Sequence, residues 1–180
     1  MHFTLADLLV DLVQNAAAAG SSHIDVLWEE ADGTIRATVE DDGRGMTPEE
    51  RGRALSPFYT DGVKHPERKV GLGVPFLKQT VESVGGFFHL ESKLGHGTTV
   101  GFQVPADNID LPPKGDLVSA FLLVLSTDAP EVEITRVTDF GDYMMRKSEL
   151  AEVLGGLETV EQLGLLRQFV ESQEDDVWQR

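Results

Sequence analysis

Four short segments of the chain together supply acidic and amide side chains, glycines and a Pro-Phe-Tyr-Thr run. In chain order they are Asp11–Asn15, Asp41–Met46, Pro57–Thr60 and Gly71–Gly73, and Gly95–Thr99 closes the set. Glycines at the start of a helix leave backbone N–H groups open to a phosphate, and side-chain oxygens suit a hard cation such as Mg²⁺. These residue types can therefore support the binding of a phosphate-bearing ligand.

The first two segments depend on a predicted helix and a predicted hairpin. Thr4–Ala19 has the periodicity of an amphipathic helix, in which Asp11 and Asn15 fall on one stripe. The alternation of His23–Glu29 and Thr34–Glu40 predicts two antiparallel strands. The acidic, glycine-containing loop then follows directly from the second strand. On an amphipathic helix alone, Asn15 would be an ordinary polar surface residue.

The later elements complete the predicted fold. Thr47–Glu50 predicts a capping box at the start of a short helix, and a longer helix is predicted from about Val74 to Val84. Phe87–Ser92 and Thr98–Val104 then alternate as a second hairpin. We expect an α/β (α+β) two-layer sandwich with a mixed, mostly antiparallel sheet and helices on one face.

The composition restricts the classes of function. The 180-residue chain is 41% hydrophobic, enough for an ordinary core, and carries a formal net charge of -16. That charge repels nucleic-acid phosphates and anionic lipids, so we expect neither nucleic-acid binding by charge nor membrane binding. The N-terminus has no signal-peptide pattern, and a cytoplasmic location is expected. With no cysteines, disulfides and thiolate zinc sites are excluded.

The order of the segments resembles the GHKL superfamily, which includes gyrase-type, chaperone-type, histidine-kinase-type and mismatch-repair-type ATPases. The resemblance covers about Leu5 to Pro105, and Gly71–Pro105 is especially similar to the histidine-kinase branch. Each motif alone is common by chance, but four of them in order on the predicted elements are specific. The resemblance implies ATP and Mg²⁺ as ligands, held between the helices and a lid loop.

The resemblance implies an adenine-binding residue at the end of the second strand. Asp41 matches the family's aspartate, whose carboxylate accepts from adenine N6 and disfavours guanine. Gly43 and Gly45 let the backbone approach the base, Met46 closes the same motif, and Thr98 matches a threonine near the adenine. Taken alone, Asp41 would be a turn residue that caps nearby N–H groups.

The resemblance also assigns roles on the polar stripe of the first helix. Asn15 matches the family's metal residue, since an amide oxygen can bind Mg²⁺ without adding negative charge near the triphosphate. Asp11 stands where hydrolysing members carry a glutamate that orients or deprotonates water. Because aspartate is one methylene shorter, two roles stay open for Asp11: catalysis of hydrolysis, or holding a water-coordinated Mg²⁺.

Phosphate contacts are implied around the start of the second long helix. Gly71, Leu72 and Gly73 match the family's phosphate-binding helix start. Lys69 is the preferred cation of Ser56–Val70, a polar segment interpreted as a lid that closes over the phosphates. A solvated surface charge is the alternative for Lys69.

A stretch rich in proline and aspartate divides the chain. We expect an ATP-binding domain at residues 1–106, a linker at residues 107–116 and a C-terminal extension at residues 117–180. The extension has no family match in the sequence. Dimerisation or the binding of a protein partner is its expected role.

The extension is predicted to contain a hairpin and helices. Leu117–Leu125 is apolar enough for a buried strand, with Glu131–Val137 as its hairpin partner. Helices are expected near Lys147–Leu154 and Thr159–Glu171.

Three functions fit the resemblance. An ATP hydrolase or ATP-driven switch acting on a protein partner is favoured. A protein kinase acting in trans is the second, like the anti-sigma-factor kinases, because the motifs begin near Thr4 and no helical phospho-accepting histidine domain is expected before them. A non-catalytic adenine-nucleotide sensor is the third. An unrelated α/β binding module with chance motifs would bind neither ATP nor ADP.

Overall fold

A six-stranded sheet is covered by helices on one face. The computed structural model describes residues 4–56 and 73–178. The strands are β1 His23–Ala31, β2 Thr34–Asp41, β3 Phe87–Lys93, β4 Gly97–Pro105, β5 Glu131–Thr138 and β6 Asp142–Arg146. The helices are α1 Leu5–Ala18, α2 Pro48–Ala54, α3 Gly73–Ser83, α4 Leu117–Leu125, α5 Lys147–Leu154 and α6 Val160–Trp178.

The sheet is mixed and mostly antiparallel. Its strand order is β3-β4-β2-β1-β5-β6, and only the β1–β5 pair is parallel. Buried side chains alternate along β1 and β2, so these strands turn one face to the helices and the other to solvent. The predicted two-layer α/β sandwich is confirmed.

Helix α1 forms where the sequence predicts it. Thr4 caps it, since the Thr4 side chain accepts from the Asp7 N–H at 3.1 Å and the Asp7 carboxylate accepts from the Thr4 N–H at 2.9 Å. Its buried face packs into the core, and its members are Leu5, Ala6, Leu8, Leu9, Leu12, Val13 and Ala16. This packing leaves the polar stripe on the other side of the helix.

The β1–β2 hairpin sets the register that carries the second motif. Its loop is Asp32-Gly33, with φ of 51° and 69°, and a type I′ turn requires positive φ at both positions. From this turn the pairing of β1 with β2 places Asp41 opposite Ile24, and the separate pairing of β2 with β4 places Thr98 on the other side of Asp41. The register therefore brings the predicted adenine residues to one end of the sheet.

The predicted strand at Leu117–Leu125 is wrong, because this segment is helix α4. The Asp116 side chain caps it by accepting from the Ser119 N–H at 3.0 Å. A short run that is apolar throughout has no distinguishing period, and α4 packs between α1 and α6. Glu131–Val137 does form a strand, but its partners are β1 and β6 rather than Leu117–Leu125.

The helices predicted near the C-terminus are confirmed as α5 and α6. The second is longer than expected, with 19 residues that end at Trp178. Across residues 4–56 and 73–178, no helix has both the length and the apolar character needed to cross a bilayer.

The segment before α4 is bonded to the start of α1. The N–H groups of Leu5 and Ala6 donate to the carbonyls of Pro113 and Lys114, both at 2.9 Å. These are first-turn N–H groups that have no partner within their own helix. Gly115 follows with φ of +87°, and a Cβ at this position would lie 2.3 Å from Thr4 Oγ1. The chain can therefore pass so close to the α1 cap only with glycine here.

A buried arginine joins strands and helix at the opposite end of the sheet from Asp41. Arg136 on β5 is fully buried and bonds Glu30 on β1 at 2.8 Å and Glu174 on α6 at 3.0 Å. Tyr143 donates to Glu174 at 2.5 Å, and Lys114 pairs with Glu30 at 3.1 Å. Glu174 thus accepts from two donors, and Glu30 accepts from a third as well, the Trp28 indole N–H at 2.9 Å; these bonds satisfy charges that would be costly to bury alone.

We predict that Gly115→Ala destabilises the protein by about 1–3 kcal/mol, because the new Cβ meets Thr4 and the backbone has positive φ. Gly85→Ala is the matched control, since Gly85 has φ of +74° but no atom within 4 Å of the added Cβ. Urea denaturation followed by tryptophan fluorescence measures both variants. Equal losses would show that the contact with Thr4 contributes nothing.

Candidate functional site

Asp41 is a nearly buried carboxylate at the end of β2. Only 8% of the residue is exposed. The Gly43 N–H donates to Oδ1 at 2.8 Å, and the Ser21 hydroxyl donates to the same oxygen at 3.0 Å. Because both contacts use Oδ1, Oδ2 keeps lone-pair capacity for a donor on a ligand.

Burial raises the pKa of Asp41 above its ordinary value, and the negative charge of Asp42 adds to the rise. Hydrogen bonds from Gly43, Ser21 and the Thr98 backbone act in the opposite direction but do not cancel the effect of burial. The ionised carboxylate is therefore less well solvated than in water. A ligand that donates a hydrogen bond would stabilise it.

Three glycines allow the loop after β2 to pack tightly. A Cβ on Gly97 would lie 1.8 Å from the Asp41 carbonyl oxygen, and a Cβ on Gly45 would lie 2.0 Å from that of Lys93. A Cβ on Gly43 would lie 2.8 Å from Asp41 Oδ1. Close approach by protein atoms thus already requires glycine here, while approach by a nucleotide base remains a prediction.

The other two predicted adenine-site residues flank this loop. Thr98 is the cross-strand partner of Asp41, and its Oγ1 lies 2.9 Å from Ser92 Oγ. Met46 is partly buried and directly precedes Thr47, the N-cap of α2. The structure therefore brings Thr98 next to Asp41 and sets Met46 at the far end of the loop.

Asp11 faces the beginning of α3. Its Oδ2 lies 3.0 Å from the point where a Cβ on Gly73 would stand. Burial, followed by the charge of Asp7, raises the pKa of Asp11. Asn15 lies one turn further along α1 and is exposed. The polar stripe of α1 thus lies beside the first residue of the helix that the sequence associates with phosphate.

Several predicted contacts fall outside the described residues. Lys69, Gly71 and Leu72 do so, as do Pro57–Thr60 and all of the Ser56–Val70 lid except Ser56. Their contacts with phosphate remain predictions. In the parts of the chain that the structure describes, no group of three or more His, Asp or Glu side chains could hold a metal ion. A metal at Asn15 would therefore depend on ligands from elsewhere, such as phosphate oxygens.

An open depression of about 410 Å³ lies at the same end of the sheet. Asp41 and Thr98 line it, but Asp11, Asn15 and Gly73 do not. Its charged lining mixes both signs, with Glu40, Glu91, Arg51 and Lys93. It borders the predicted adenine residues and is distinct from the α1–α3 contact.

Sequence reasoning missed Ser21 as part of this site. Ser21 is 4% exposed, and its hydroxyl contacts both Asp41 and the Ala16 carbonyl. No spacing rule connects the residue after a helix with the end of a strand 20 positions later. Asp42, by contrast, is the turn residue expected for a position after a strand: it accepts from the N–H groups of Ser22 and His23 at 2.7 and 3.0 Å.

Comparison with known proteins places these observations in a family. Residues 3–108 match the family described as histidine kinase-, DNA gyrase B- and HSP90-like ATPase. The chain is 31% identical over 104 residues to the histidine protein kinase DivJ of Caulobacter vibrioides, covering 56% of this chain and 17% of DivJ. It is 38% identical over 92 residues to the C4-dicarboxylate transport sensor protein DctB of Rhizobium meliloti, covering 49% of this chain and 14% of DctB.

A solved structure resembles a larger share of the chain. The crystal structure of the N-terminal domain of a DNA repair protein aligns with 89% of this chain and 58% of that chain, at a TM-score of 0.54 and 16% identity. At this identity the likeness concerns the fold alone. It extends beyond residue 108, where the family match ends.

We predict that Asp41→Asn stabilises the protein at neutral pH. The raised pKa means that the folded state favours the protonated form of Asp41. Protonated Asp41 therefore contributes stability below its ordinary pKa of 3.8, and this contribution is lost as pH rises through the folded pKa. Asparagine does not ionise, so the variant does not lose stability in this way. Its advantage in free energy of unfolding should narrow from pH 7 toward about pH 4.

Asp42→Asn is the control with the opposite sign. Hydrogen bonds from Ser22 and His23 lower the pKa of Asp42, so its stability is present above its ordinary pKa and lost as pH falls through the folded pKa. This variant should be less stable than the wild type at pH 7. If both variants shift stability in the same direction, the account of the buried Asp41 carboxylate is wrong.

Proposed function

The chain belongs to the histidine kinase-, DNA gyrase B- and HSP90-like ATPase family, and from this membership we propose that it binds ATP with Mg²⁺ and acts as an ATP hydrolase or ATP-driven switch on a protein partner. The observation that carries the proposal is the buried Asp41 carboxylate, which accepts from Ser21 and Gly43 through the same oxygen, Oδ1. A cytoplasmic location belongs to the same proposal.

Adenine recognition follows from the second oxygen of Asp41. In this proposal, Oδ2 accepts a hydrogen bond from the exocyclic amino group of adenine. A guanine base would present an oxygen there, leaving two acceptors opposed in a poorly solvated place. Gly43, Gly45, Met46 and Thr98 would surround the base.

The contact between α1 and α3 supports a role in phosphoryl chemistry. The Asp11 carboxylate lies beside Gly73, the first residue of α3, and the start of a helix favours phosphate. An oxygen base at this position can orient or deprotonate an attacking water. The raised pKa of Asp11 makes it a stronger base than an exposed aspartate.

The donor set around Asn15 fits Mg²⁺ that is bound mainly through phosphates. Asn15 would supply one side-chain oxygen, and Lys69, Gly71, Leu72 and Gly73 would contact the phosphates. Mg²⁺ would supply charge neutralisation. That contribution matters in a chain of net charge -16, which repels a free triphosphate.

The reaction of the whole protein is part of this proposal. The chain spans 14–17% of the length of DctB and DivJ. Because DivJ is named a histidine protein kinase, transfer of phosphate to a protein is the second candidate function. A sensor that binds adenine nucleotide without turnover is the third, and residues 117–180 are the proposed site for a partner or a second copy.

We predict that Mg²⁺-dependent binding prefers ATP and ADP to GTP, and that Asp41→Asn reverses the preference for the base. Ser21 and Gly43 donate where Oδ1 lies, so the asparagine oxygen must take that place and its NH₂ must take the place of Oδ2. The NH₂ of the introduced asparagine would then face the amino group of adenine, so that two donors oppose each other, whereas the base of inosine triphosphate presents an oxygen acceptor at that position. Calorimetry should show ATP affinity at least roughly tenfold lower.

The control for this experiment is Asp42→Asn, which removes the same charge one residue away. It should leave the ratio of ATP to inosine triphosphate affinity unchanged. Loss of ATP binding in both variants alike would mean that charge, not the direction of the donors, determines affinity. Absence of nucleotide binding by the wild type would refute the proposed function.

We predict that Asp11→Asn lowers phosphate release from Mg·ATP by roughly 10²–10⁴-fold, while ATP affinity changes little. The amide keeps the shape that packs against Gly73 but cannot accept the proton. Gln14→Ala, on the exposed side of the same helix, should release phosphate at the wild-type rate. Transfer of labelled phosphate to a protein without free phosphate would favour the kinase, and tight binding without either product would favour the sensor.

A further inference from the structure

Ser21 connects two elements of the site from a buried position. It follows α1 and precedes β1, and it is 4% exposed. Its hydroxyl lies 2.7 Å from the Ala16 carbonyl in the last turn of α1 and 3.0 Å from Asp41 Oδ1. One side chain therefore links the helix that carries Asp11 and Asn15 to the carboxylate at the end of β2.

The hydroxyl has one proton for two acceptors. The Ala16 carbonyl already accepts from the Ala19 N–H at 3.1 Å, so it retains a partner without Ser21. The ionised Asp41 carboxylate has lost most of its water and needs donors. Because Asp41 needs the donor more than the Ala16 carbonyl does, we expect Ser21 to donate to Asp41 whenever the carboxylate is charged.

Two donors on Oδ1 restrict rotation of the Asp41 carboxylate. A Cβ on Gly43 would lie 2.7 Å from Ser21 Oγ and 2.8 Å from Asp41 Oδ1. The Gly43 backbone therefore lies against both groups, and its N–H donates to Oδ1 at 2.8 Å. With two donors on one oxygen, the orientation of the other oxygen is determined.

We propose that Ser21 is a positioning residue for base selectivity, which holds Oδ1 of Asp41 so that Oδ2 meets the exocyclic amino group of adenine. The inference rests on the proposed function. Without the hydroxyl, Oδ1 keeps only the Gly43 donor, and the carboxylate gains rotational freedom at the point of recognition. Ser21 then contributes to discrimination between bases and not to nucleotide affinity in general.

The test compares two ligands that differ only in the 6-amino group of the base. Calorimetry with Mg²⁺ measures the Kd of ATP and of purine riboside triphosphate, which lacks the 6-amino group, for the wild type and Ser21→Ala. The preference for ATP should fall by roughly fivefold in Ser21→Ala. The affinity for purine riboside triphosphate should stay within about twofold.

Two further variants separate positioning from a structural effect. Ser22→Ala is the matched control, since the neighbouring Ser22 hydroxyl donates to Asp42 instead; it should keep the wild-type preference. Ser21→Thr retains a hydroxyl and should restore the preference. Melting temperatures of all variants identify any that fail to fold, and the decision rests on Ser21→Ala against Ser22→Ala.

Other outcomes would overturn the inference. An equal loss of affinity for both ligands in Ser21→Ala would show that Ser21 acts on the fold, and an unchanged preference would show that it does not position Asp41. If the wild type binds ATP but Ser21→Ala gives either of these results, only the proposed role of Ser21 is wrong. If the wild type binds neither ligand, the proposed function fails as well.

Discussion

The structure of the site depends on placing one carboxylate, Asp41, where little water can reach it. Burial raises its pKa, so the neighbouring chain must supply donors and must come close enough to exclude solvent. Gly43 and Ser21 supply the donors, and Gly97 lets the β4 backbone pass within a distance that no side chain would permit. Burial of the ionised Asp41 carboxylate lowers the stability of the protein, but it suits the selection of a ligand that donates one hydrogen bond to this carboxylate.

Residues after position 108, where the family match ends, also support the site. The carbonyls of Pro113 and Lys114 accept the first N–H groups of α1, and α4 packs against the same helix. At the far end, Arg136 ties β5 and α6 to Glu30 on β1. Since α1 carries Asp11 and Asn15, the placement of these two residues depends on contacts more than 90 positions away in sequence. The likeness to a solved structure over 89% of the chain agrees with this close association.

Elements with a clear period were predictable, and contacts between distant segments were not. Alternation located the first hairpin, whose register pairs Asp41 with Ile24. The pairing of β2 with β4, which places Asp41 beside Thr98, joins distant segments and was not predicted. Leu117–Leu125 was predicted wrongly, because an apolar run without a period fits a buried strand or a buried helix. Ser21 had no local signal, since its importance comes only from tertiary contact with Asp41.

A crystal structure with Mg²⁺ and a non-hydrolysable ATP analogue tests the central claim most directly. We predict that adenine N6 lies within about 3.2 Å of Asp41 Oδ2, while Ser21 and Gly43 still donate to Oδ1. A base that binds elsewhere, or that presents a group other than N6 to Asp41, would contradict it.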